Sequence, residues 1–403
     1  MPAPVAGAGM MYTRTVIQDW PYEDDDEEYT VKMGFRWYGD GNDTVTLDQV
    51  RQIPGVETIV WGLHHKQAGE VWEQAEIDAE VARITGLSSD AHAKGVTRTF
   101  DAEVVESVNV HESIKLGRTV LGMSRDEAIA NYITTIERLG RAGVKVVCYN
   151  FMPVFDWLRT DLWHPLPDGS TALYYEKAVV DKMSPESLIA DMEANTHGLT
   201  LPGWEPERLA SFHELNEAYV GVTHDDMYAN YKYFLDAVIP TCEEYDVKLG
   251  VHPDDPPFDV FGWPRVVSGK EGLARVLDLH PSPHHGLTLC LGSFSANPEH
   301  DAVDAVRTFM DRIHFSHVRN IKHFDNGDFT EVAHRASEGS VDTTGIMKAY
   351  AEAGYQGYIR PDHGRHLWDE NTTNKPRPGY GLYDRALGIQ YLLGAWDAFH
   401  YQG

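Results

Sequence analysis

The residues of this 403-residue chain that are best suited to chemistry stand where short apolar segments end. At four such ends lie two imidazoles, one thiol and one carboxyl group, those of His252, Cys290, His317 and Asp362. Together they form a ligand set that a divalent transition metal accepts. Taken singly, each is more readily a structural side chain, and Cys290 would be a small buried hydrophobe. Their shared position predicts a four-ligand metal site.

Three further residues stand close to the proposed ligands. His363 directly follows Asp362, and the near-neutral intrinsic pKa of a histidine suits proton transfer. Arg319 and Arg360 each lie two residues from a proposed ligand and therefore share its side of a strand. We expect these two arginines either to hold a substrate carboxylate through paired hydrogen bonds or to neutralise a neighbouring aspartate.

The elements that must position these residues follow a regular pattern. Short strand-like segments alternate with longer amphipathic ones, which argues for parallel pairing through βαβ units. Eight such units predict a (β/α)₈ TIM barrel, in which reacting groups lie at the carboxyl ends of the strands. The four proposed ligands end the last four segments. The strand-like segments are 33–37, 58–63, 102–108, 145–151, 248–252, 287–291, 313–318 and 358–362.

Two regions depart from this pattern. The fourth connection, about residues 152–247, holds several helical patterns and predicts a long helical insertion after strand four. We expect it to belong to a single catalytic domain of residues 31–403. Residues 1–30 combine small residues with the acidic run 23–28, and they predict a mobile, disordered acidic tail.

The charge balance excludes several classes of partner. The chain has 62 Asp and Glu against 34 Lys and Arg, a formal charge of −28, which repels phosphate backbones and anionic lipid surfaces. We therefore expect no nucleic-acid or membrane partner. Only 13 of the basic residues are lysines. This acidity is typical either of a protein suited to high salt or of an ordinary solvated acidic surface.

Cysteine usage and hydropathy bear on the compartment. Three widely spaced cysteines do not make a disulfide framework. No apolar run approaches the roughly 18 residues that a membrane helix needs, and the N-terminus has no secretory signal pattern. These features predict a cytoplasmic protein.

Several long stretches resemble one known family, the mannonate dehydratases of the metal-dependent, xylose-isomerase-like barrel type. They are distributed from about residue 33 to residue 381, and two of them are long and unusual. The matching stretches are Phe35-Arg36-Trp37-Tyr38-Gly39, Glu106-Ser107-Val108-Asn109-Val110-His111-Glu112, residues 145–157, His252-Pro253-Asp254-Asp255-Pro256-Pro257 and Arg360-Pro361-Asp362-His363-Gly364.

The resemblance implies dehydration of D-mannonate to 2-keto-3-deoxy-D-gluconate, a step of hexuronate (glucuronate) catabolism. It implies a divalent ion, Mn²⁺ in the first place and Fe²⁺ as an alternative, and a small sugar acid as the partner; we also expect a homo-oligomer. The family's ligands fall on the four residues already chosen. Its catalytic histidine falls on His363 and its catalytic tyrosine on Tyr380, which its turn-rich surroundings alone would assign to packing.

The chemistry of an aldonate explains why such groups are needed. Loss of the C2 proton develops enediolate-like charge that a metal stabilises, and the departing 3-hydroxyl needs a proton. The sequence does not decide which of His363 and Tyr380 is the base. Three alternatives stay open at this stage: a metal-dependent sugar isomerase on the same barrel, a dehydratase of another aldonate, and a non-enzymatic sugar-acid sensor.

Overall fold

Twelve strands are present in the residues that the computed structural model describes, which are 31–184, 187 and 211–400. Eight of these strands are parallel and close a barrel in the order β1-β12-β9-β8-β7-β4-β3-β2. The strands are β1 (Lys32–Arg36), β2 (Val56–Trp61), β3 (Asp101–Glu106), β4 (Val146–Tyr149), β5 (Asp161–Pro165), β6 (Thr171–Tyr175), β7 (Lys248–Val251), β8 (His285–Cys290), β9 (Ile313–His317), β10 (Ile321–His323), β11 (Phe329–Glu331) and β12 (Tyr358–Arg360).

The closed barrel confirms the predicted fold class, and each of its strands overlaps one of the eight predicted segments. The strands are buried because side chains fill the lumen on one face and helices cover the other. Strand β8, for example, is buried at every position. The lumen holds a small apolar cluster of its own, formed by Val60, Val104, Val146, Cys148, Phe315 and Tyr358.

Helices follow the barrel strands and pack on the outside. The helix Arg125–Arg141 begins where the Ser124 hydroxyl accepts a hydrogen bond from the Glu127 amide, as the capping pattern of the sequence predicts. The α-helices are Leu47–Val50, Gln74–Thr85, Ser89–Ala93, Glu112–Leu116, Arg125–Arg141, Lys177–Val180, Phe212–Ala218, His224–Glu244, Gly269–Asp278, Leu291–Phe294, Ala302–Phe309, Thr343–Glu352, Glu370–Thr373 and Leu382–His400. Among the described residues, none of the helices has the length and apolarity needed to cross a bilayer.

The connection between β4 and β7 contains strands as well as the predicted helices. Strands β5 and β6 form a hairpin that joins β10 and β11 in an antiparallel sheet of order β10-β11-β6-β5. The sequence analysis did not predict these four strands, because they are short and carry no clear alternation. The sheet matters for function because β11 ends at Glu331, one of the buried carboxylates next to the predicted catalytic histidine.

Two predictions fall on parts of the chain beyond those described. The acidic tail of residues 1–30 lies outside the described residues, as does the part of the predicted insertion that comprises residues 185–186 and 188–210.

Candidate metal centre and active site

Three of the four predicted ligands converge at one end of the barrel. His252 directly follows β7, Cys290 is the last residue of β8, and His317 is the last residue of β9. These strands are neighbours in the barrel. One ligand atom from each residue lies within 4.8 Å of the others, which is close enough for a single ion to contact all three.

The protein lies against one ring nitrogen of each imidazole, although neither ring nitrogen of His317 makes a hydrogen bond within the described residues. His252 Nδ1 lies 2.6 Å from the carbonyl oxygen of Pro253, so Nδ1–H donates there and Nε2 is free to coordinate. His317 Nε2 lies 3.3 Å from a carboxylate oxygen of Glu106. Its Nδ1 is buried and has no hydrogen-bond partner in the described part of the chain. A carboxylate or carbonyl behind each ring is the usual support of a metal-binding histidine.

The Cys290 sulfur is fully buried and receives several polar contacts. It accepts hydrogen bonds from the backbone amide of Ser293 at 3.4 Å and from the Ser293 hydroxyl at 3.1 Å. Its thiol lies 3.3 Å from Oδ2 of Asp362. Two donors are thus directed at the sulfur, which binds a metal as the thiolate.

Asp362, the fourth predicted ligand, lies beside Cys290 and His317 and is also paired with two arginines. Its backbone has the left-handed φ of 61°, two residues beyond the end of β12. Arg319 Nε and Arg360 Nη1 each lie 2.8 Å from one of its carboxylate oxygens. Burial, the largest effect, raises the pKa of Asp362, but positive groups led by His363 and Arg360 outweigh it and hold the pKa well below its usual range.

These observations fit a bound divalent ion. The set offers two imidazole nitrogens, a thiolate and a carboxylate, which suits Mn²⁺, Fe²⁺ or Zn²⁺. The buried Nδ1 of His317 is the strongest sign, because a buried nitrogen without a partner costs free energy that coordination would recover.

The two residues predicted to transfer protons are in direct contact. His363 Nε2 lies 2.9 Å from the Tyr380 hydroxyl, and both residues are buried. His363 Nδ1 lies 3.4 Å from Oε1 of Glu331. Burial raises the pKa of Tyr380 well above its usual value, and nearby Tyr38 adds to this effect. The tyrosine is therefore protonated at neutral pH, and its hydroxyl donates to Nε2 when the imidazole proton lies on Nδ1.

Arg319 and Arg360, which the sequence offered as substrate-binding residues, are held by carboxylates of the chain. Arg319 lies 2.6 Å from Glu331 and 2.9 Å from Asp255. Arg360 makes two hydrogen bonds to Glu106, at 2.7 Å and 3.1 Å. This geometry favours the other role that the sequence left open for them, the neutralisation of buried aspartates and glutamates.

A cavity of about 450 Å³ opens beside these groups. Its wall includes the proposed ligands His252 and Asp362 together with His363 and Tyr380. Trp157, whose ring meets the His363 ring edge to face with centroids 6.0 Å apart, closes one side. The cavity is thus lined both by proposed metal ligands and by the predicted proton-transfer residues.

Sequence reasoning missed two carboxylates in this site. Glu106 ends β3 and contacts both His317 and Arg360, while Glu331 ends β11 and contacts His363. Glu106 stands within one of the stretches that carry the family resemblance, and that signal could have drawn attention to it. Glu331 had no such signal, because its sheet is assembled from two distant segments.

Comparison with known proteins points to one family. The model of the D-mannonate dehydratase (UxuA) family matches residues 31–402. Mannonate dehydratase 1 of Bacillus licheniformis is 54% identical over 370 residues, which cover 92% of this chain and 96% of that protein. Mannonate dehydratase of Bacillus subtilis is 50% identical over 369 residues, which cover 92% of this chain and 97% of that protein.

A solved structure agrees with these sequence matches. The crystal structure of mannonate dehydratase from Streptococcus suis serotype 2 superposes with a TM-score of 0.76 at 38% identity, covering 92% of this chain and 94% of that one. Family model, curated relatives and solved structure each span nearly the whole barrel and carry the same activity in their names. The chain therefore belongs to the D-mannonate dehydratase family.

Proposed function

We propose that the enclosed site performs this family's reaction, the conversion of D-mannonate to 2-keto-3-deoxy-D-gluconate and water, with His363 and Tyr380 as the proton-transfer pair. The C2–H and C3–O bonds break, and the resulting enol takes up a proton at C3 as it becomes the ketone. The observation that carries the assignment is the 2.9 Å contact between His363 Nε2 and the Tyr380 hydroxyl, beside three converging metal ligands.

The family implies a divalent metal ion, and His252, Cys290, His317 and Asp362 would hold it. When bound, the ion would stabilise the negative charge that develops as the C2 proton leaves. We propose Mn²⁺ as the native ion, with Fe²⁺ as the alternative. A thiolate and two imidazoles support either ion, so metal analysis of the purified protein must distinguish them.

The hydrogen-bond direction supports a division of roles between the two catalytic residues. When the imidazole proton lies on Nδ1, Nε2 accepts the hydrogen bond of the Tyr380 hydroxyl, and the lone pair of that nitrogen can take the C2 proton. The raised pKa of Tyr380 keeps its proton available for the departing 3-hydroxyl. Glu331, facing Nδ1 at 3.4 Å, favours the tautomer with hydrogen on Nδ1 and so keeps Nε2 ready.

A product assay tests this function against its alternatives. The protein, reconstituted with Mn²⁺, is incubated with a panel of aldonates and aldoses, and 2-keto-3-deoxy acids and ketoses are measured separately. We expect a 2-keto-3-deoxy acid from D-mannonate and no ketose from any aldose. Ketose formation would support the sugar isomerase. Faster turnover of another aldonate would identify that aldonate as the substrate. Binding of sugar acids without turnover would support the sensor.

Three further predictions accompany this function. The cytoplasmic location, a homo-oligomeric state and a benefit from high salt are each proposed from the sequence. A salt series of thermal melts and an ultracentrifugation experiment would test the last two.

A further inference from the structure

A second cavity adjoins the reaction cavity, and the two meet at Arg36 and Ser107. The lining of the second cavity is polar and includes His64, Gln67 and Asn109. Arg36, the last residue of β1, therefore stands at the boundary between the reacting groups and a polar chamber behind them.

Arg36 differs from Arg319 and Arg360, whose guanidinium groups donate hydrogen bonds to carboxylates. It is only 3% exposed, yet its Nε and Nη1 make no hydrogen bond within the described residues. The nearest carboxylate oxygen, on Glu106, is 3.7 Å from Nη1, and that carboxylate is already held by two hydrogen bonds from Arg360. Buried donors without partners are rare in folded proteins, because desolvation without a replacement bond is costly. Two donor atoms of Arg36 are therefore available to bind a ligand.

His64, which lies next to the ring of Tyr38, also has a buried polar atom that could bind a ligand. Its Nε2 is buried and has no hydrogen-bond partner among the residues described. The Tyr38 ring lies between them, with its centroid 4.8 Å from the Arg36 guanidinium and 4.9 Å from the imidazole. Burial, followed by the charges of Arg36 and Arg377, lowers the pKa of His64 well below its ordinary value, so the ring is neutral. A neutral imidazole can exchange hydrogen bonds with a hydroxyl group.

We propose that Arg36 and His64 form a subsite for the C5 and C6 hydroxyls of the substrate, the end remote from the reacting carbons. The inference rests on the proposed function, which places C2 and C3 between the metal ligands and the pair His363 and Tyr380. A six-carbon chain held there must extend its remaining carbons away from these groups. The second cavity begins at Arg36 and would receive those carbons.

The charge around Arg36 favours hydroxyl groups over the substrate carboxylate. The Glu106 carboxylate lies 3.7 Å from the Arg36 Nη1, so a second carboxylate bound to Arg36 would face it at short range. Like charges at such distances repel strongly in a buried site, whereas a neutral hydroxyl meets no such penalty. Neutral hydroxyls are also suited to the mixed donor and acceptor lining of the chamber.

The test compares two substrates in the parent and in variants. One is D-mannonate, and the other is a four-carbon aldonate with the same C2 and C3 configuration, which lacks the remote carbons. We expect Arg36→Met and His64→Gln to lower kcat/KM for D-mannonate by roughly 10- to 100-fold, the scale of lost hydrogen bonds to substrate, and to change the four-carbon value less than about threefold. His65→Gln, an exposed neighbour outside the cavity lining, serves as the matched control.

Inhibition measurements keep the proposal testable if the four-carbon aldonate turns over too slowly. The inhibition constants of 2-keto-3-deoxy-D-gluconate and of its four-carbon counterpart should then show the same pattern. Equal losses for long and short ligands would overturn the subsite, because Arg36 would act at the reacting end or in folding. A parent protein inactive on D-mannonate would instead refute the proposed function.

Discussion

The two ends of the barrel hold their charges in opposite ways. At the carboxyl ends of the strands, Arg319 and Glu331 are each 1% exposed in their side chains and lie 2.6 Å apart. At the amino ends, Lys145 and Asp246 form a pair at 3.0 Å whose side chains are 47% and 70% exposed. Buried charges cost desolvation free energy and persist only when every partner is in place, whereas exposed pairs are screened by water.

This difference indicates that the desolvation cost of buried charges is carried at the carboxyl ends of the strands, where the proposed active site lies. The buried network at the carboxyl end holds Asp362, His317 and His363 in fixed orientations, which is the preorganisation that catalysis by electrostatic stabilisation requires. The amino end needs no such precision. Substitutions at the two ends should therefore differ both in size and in kind.

The largest expected effect follows from removal of a metal ligand. His317→Ala and Cys290→Ala should lose bound metal and lower turnover by more than about 10³-fold, because Lewis-acid stabilisation supplies several kcal/mol of the barrier. Metal content and kcat are measured together. Cys242→Ala, which removes a buried cysteine away from the site, is the control and should keep its metal. Full metal occupancy in both ligand variants would remove them from the coordination sphere.

Breaking the buried charge network should have the next largest effect, on stability. Glu331→Gln removes a carboxylate that both Arg159 and Arg319 contact. The two buried arginines then share Asp255, and breaking such a buried charge network costs about 3–5 kcal/mol. Denaturant unfolding of the metal-loaded protein measures this cost. A loss below about 1 kcal/mol would mean that water reaches the network and that the contrast between the two ends is smaller than the structure indicates.

The proton-transfer pair should affect rate without affecting metal. His363→Asn and Tyr380→Phe are expected to lower kcat by roughly 10²-fold or more, the usual scale for a lost general acid or base. Tyr355→Phe, which removes a tyrosine hydroxyl near the amino end of β12, is the matched control. Parent-like turnover in either catalytic variant would show that the residue has another role.

The two ends should also differ in their response to acid. Burial, with Lys248 and Arg312 nearby, lowers the pKa of His314 to about 3, and burial lowers that of His285 to about 4. Because the unfolded histidines take up protons near pH 6.5, their stabilising effect is complete above that pH and falls as the pH drops. For each of these two histidines, the free energy of unfolding should fall by about 2 kcal/mol as the pH drops from 6.5 to 5.

Glu331, at the carboxyl ends of the strands, titrates at lower pH. Burial raises the pKa of Glu331, but Arg319 and other positive groups outweigh it and lower the pKa to about 2, so its contribution is lost only as the pH falls below about 4.5. Thermal melts between pH 7 and pH 5 should therefore respond to His314→Gln with a flatter slope, and the exposed His65→Gln should leave the slope unchanged. An identical slope in His314→Gln would contradict this assignment.

The smallest effect is expected from the exposed pair at the amino end. Asp246→Asn removes the partner of Lys145 and should change stability by less than about 1 kcal/mol, with kcat unchanged. Denaturant unfolding at low and high salt measures the change. A larger loss, or a change in kcat, would show that this end of the barrel contributes more than its exposure suggests.

The parts of the site that local sequence patterns encode could be predicted from the sequence. His252, Cys290 and His317 were predicted because each ends an apolar strand, and the barrel brings such ends together. The partners of those residues were harder to predict. Glu106 contacts His317 and Arg360, more than 200 positions away in the chain, and nothing in its own strand indicates this.

The strands of the antiparallel sheet were not predicted for a similar physical reason. Its strand β11 has three residues and pairs with β6, about 150 residues earlier in the chain. Too short for a periodic pattern, such strands are stabilised by pairing and burial rather than by propensity. For that reason the sequence did not reveal that Glu331 supports His363, while the barrel itself followed from eight repeated units.

The central claim is that Cys290, His252, His317 and Asp362 hold one divalent ion at the carboxyl end of the barrel. X-ray absorption at the metal edge of the reconstituted protein tests it most directly, since sulfur scatters differently from nitrogen and oxygen. We predict one ion per chain with a single sulfur neighbour that disappears in Cys290→Ser. A first shell of nitrogen and oxygen alone in the parent protein would contradict the account.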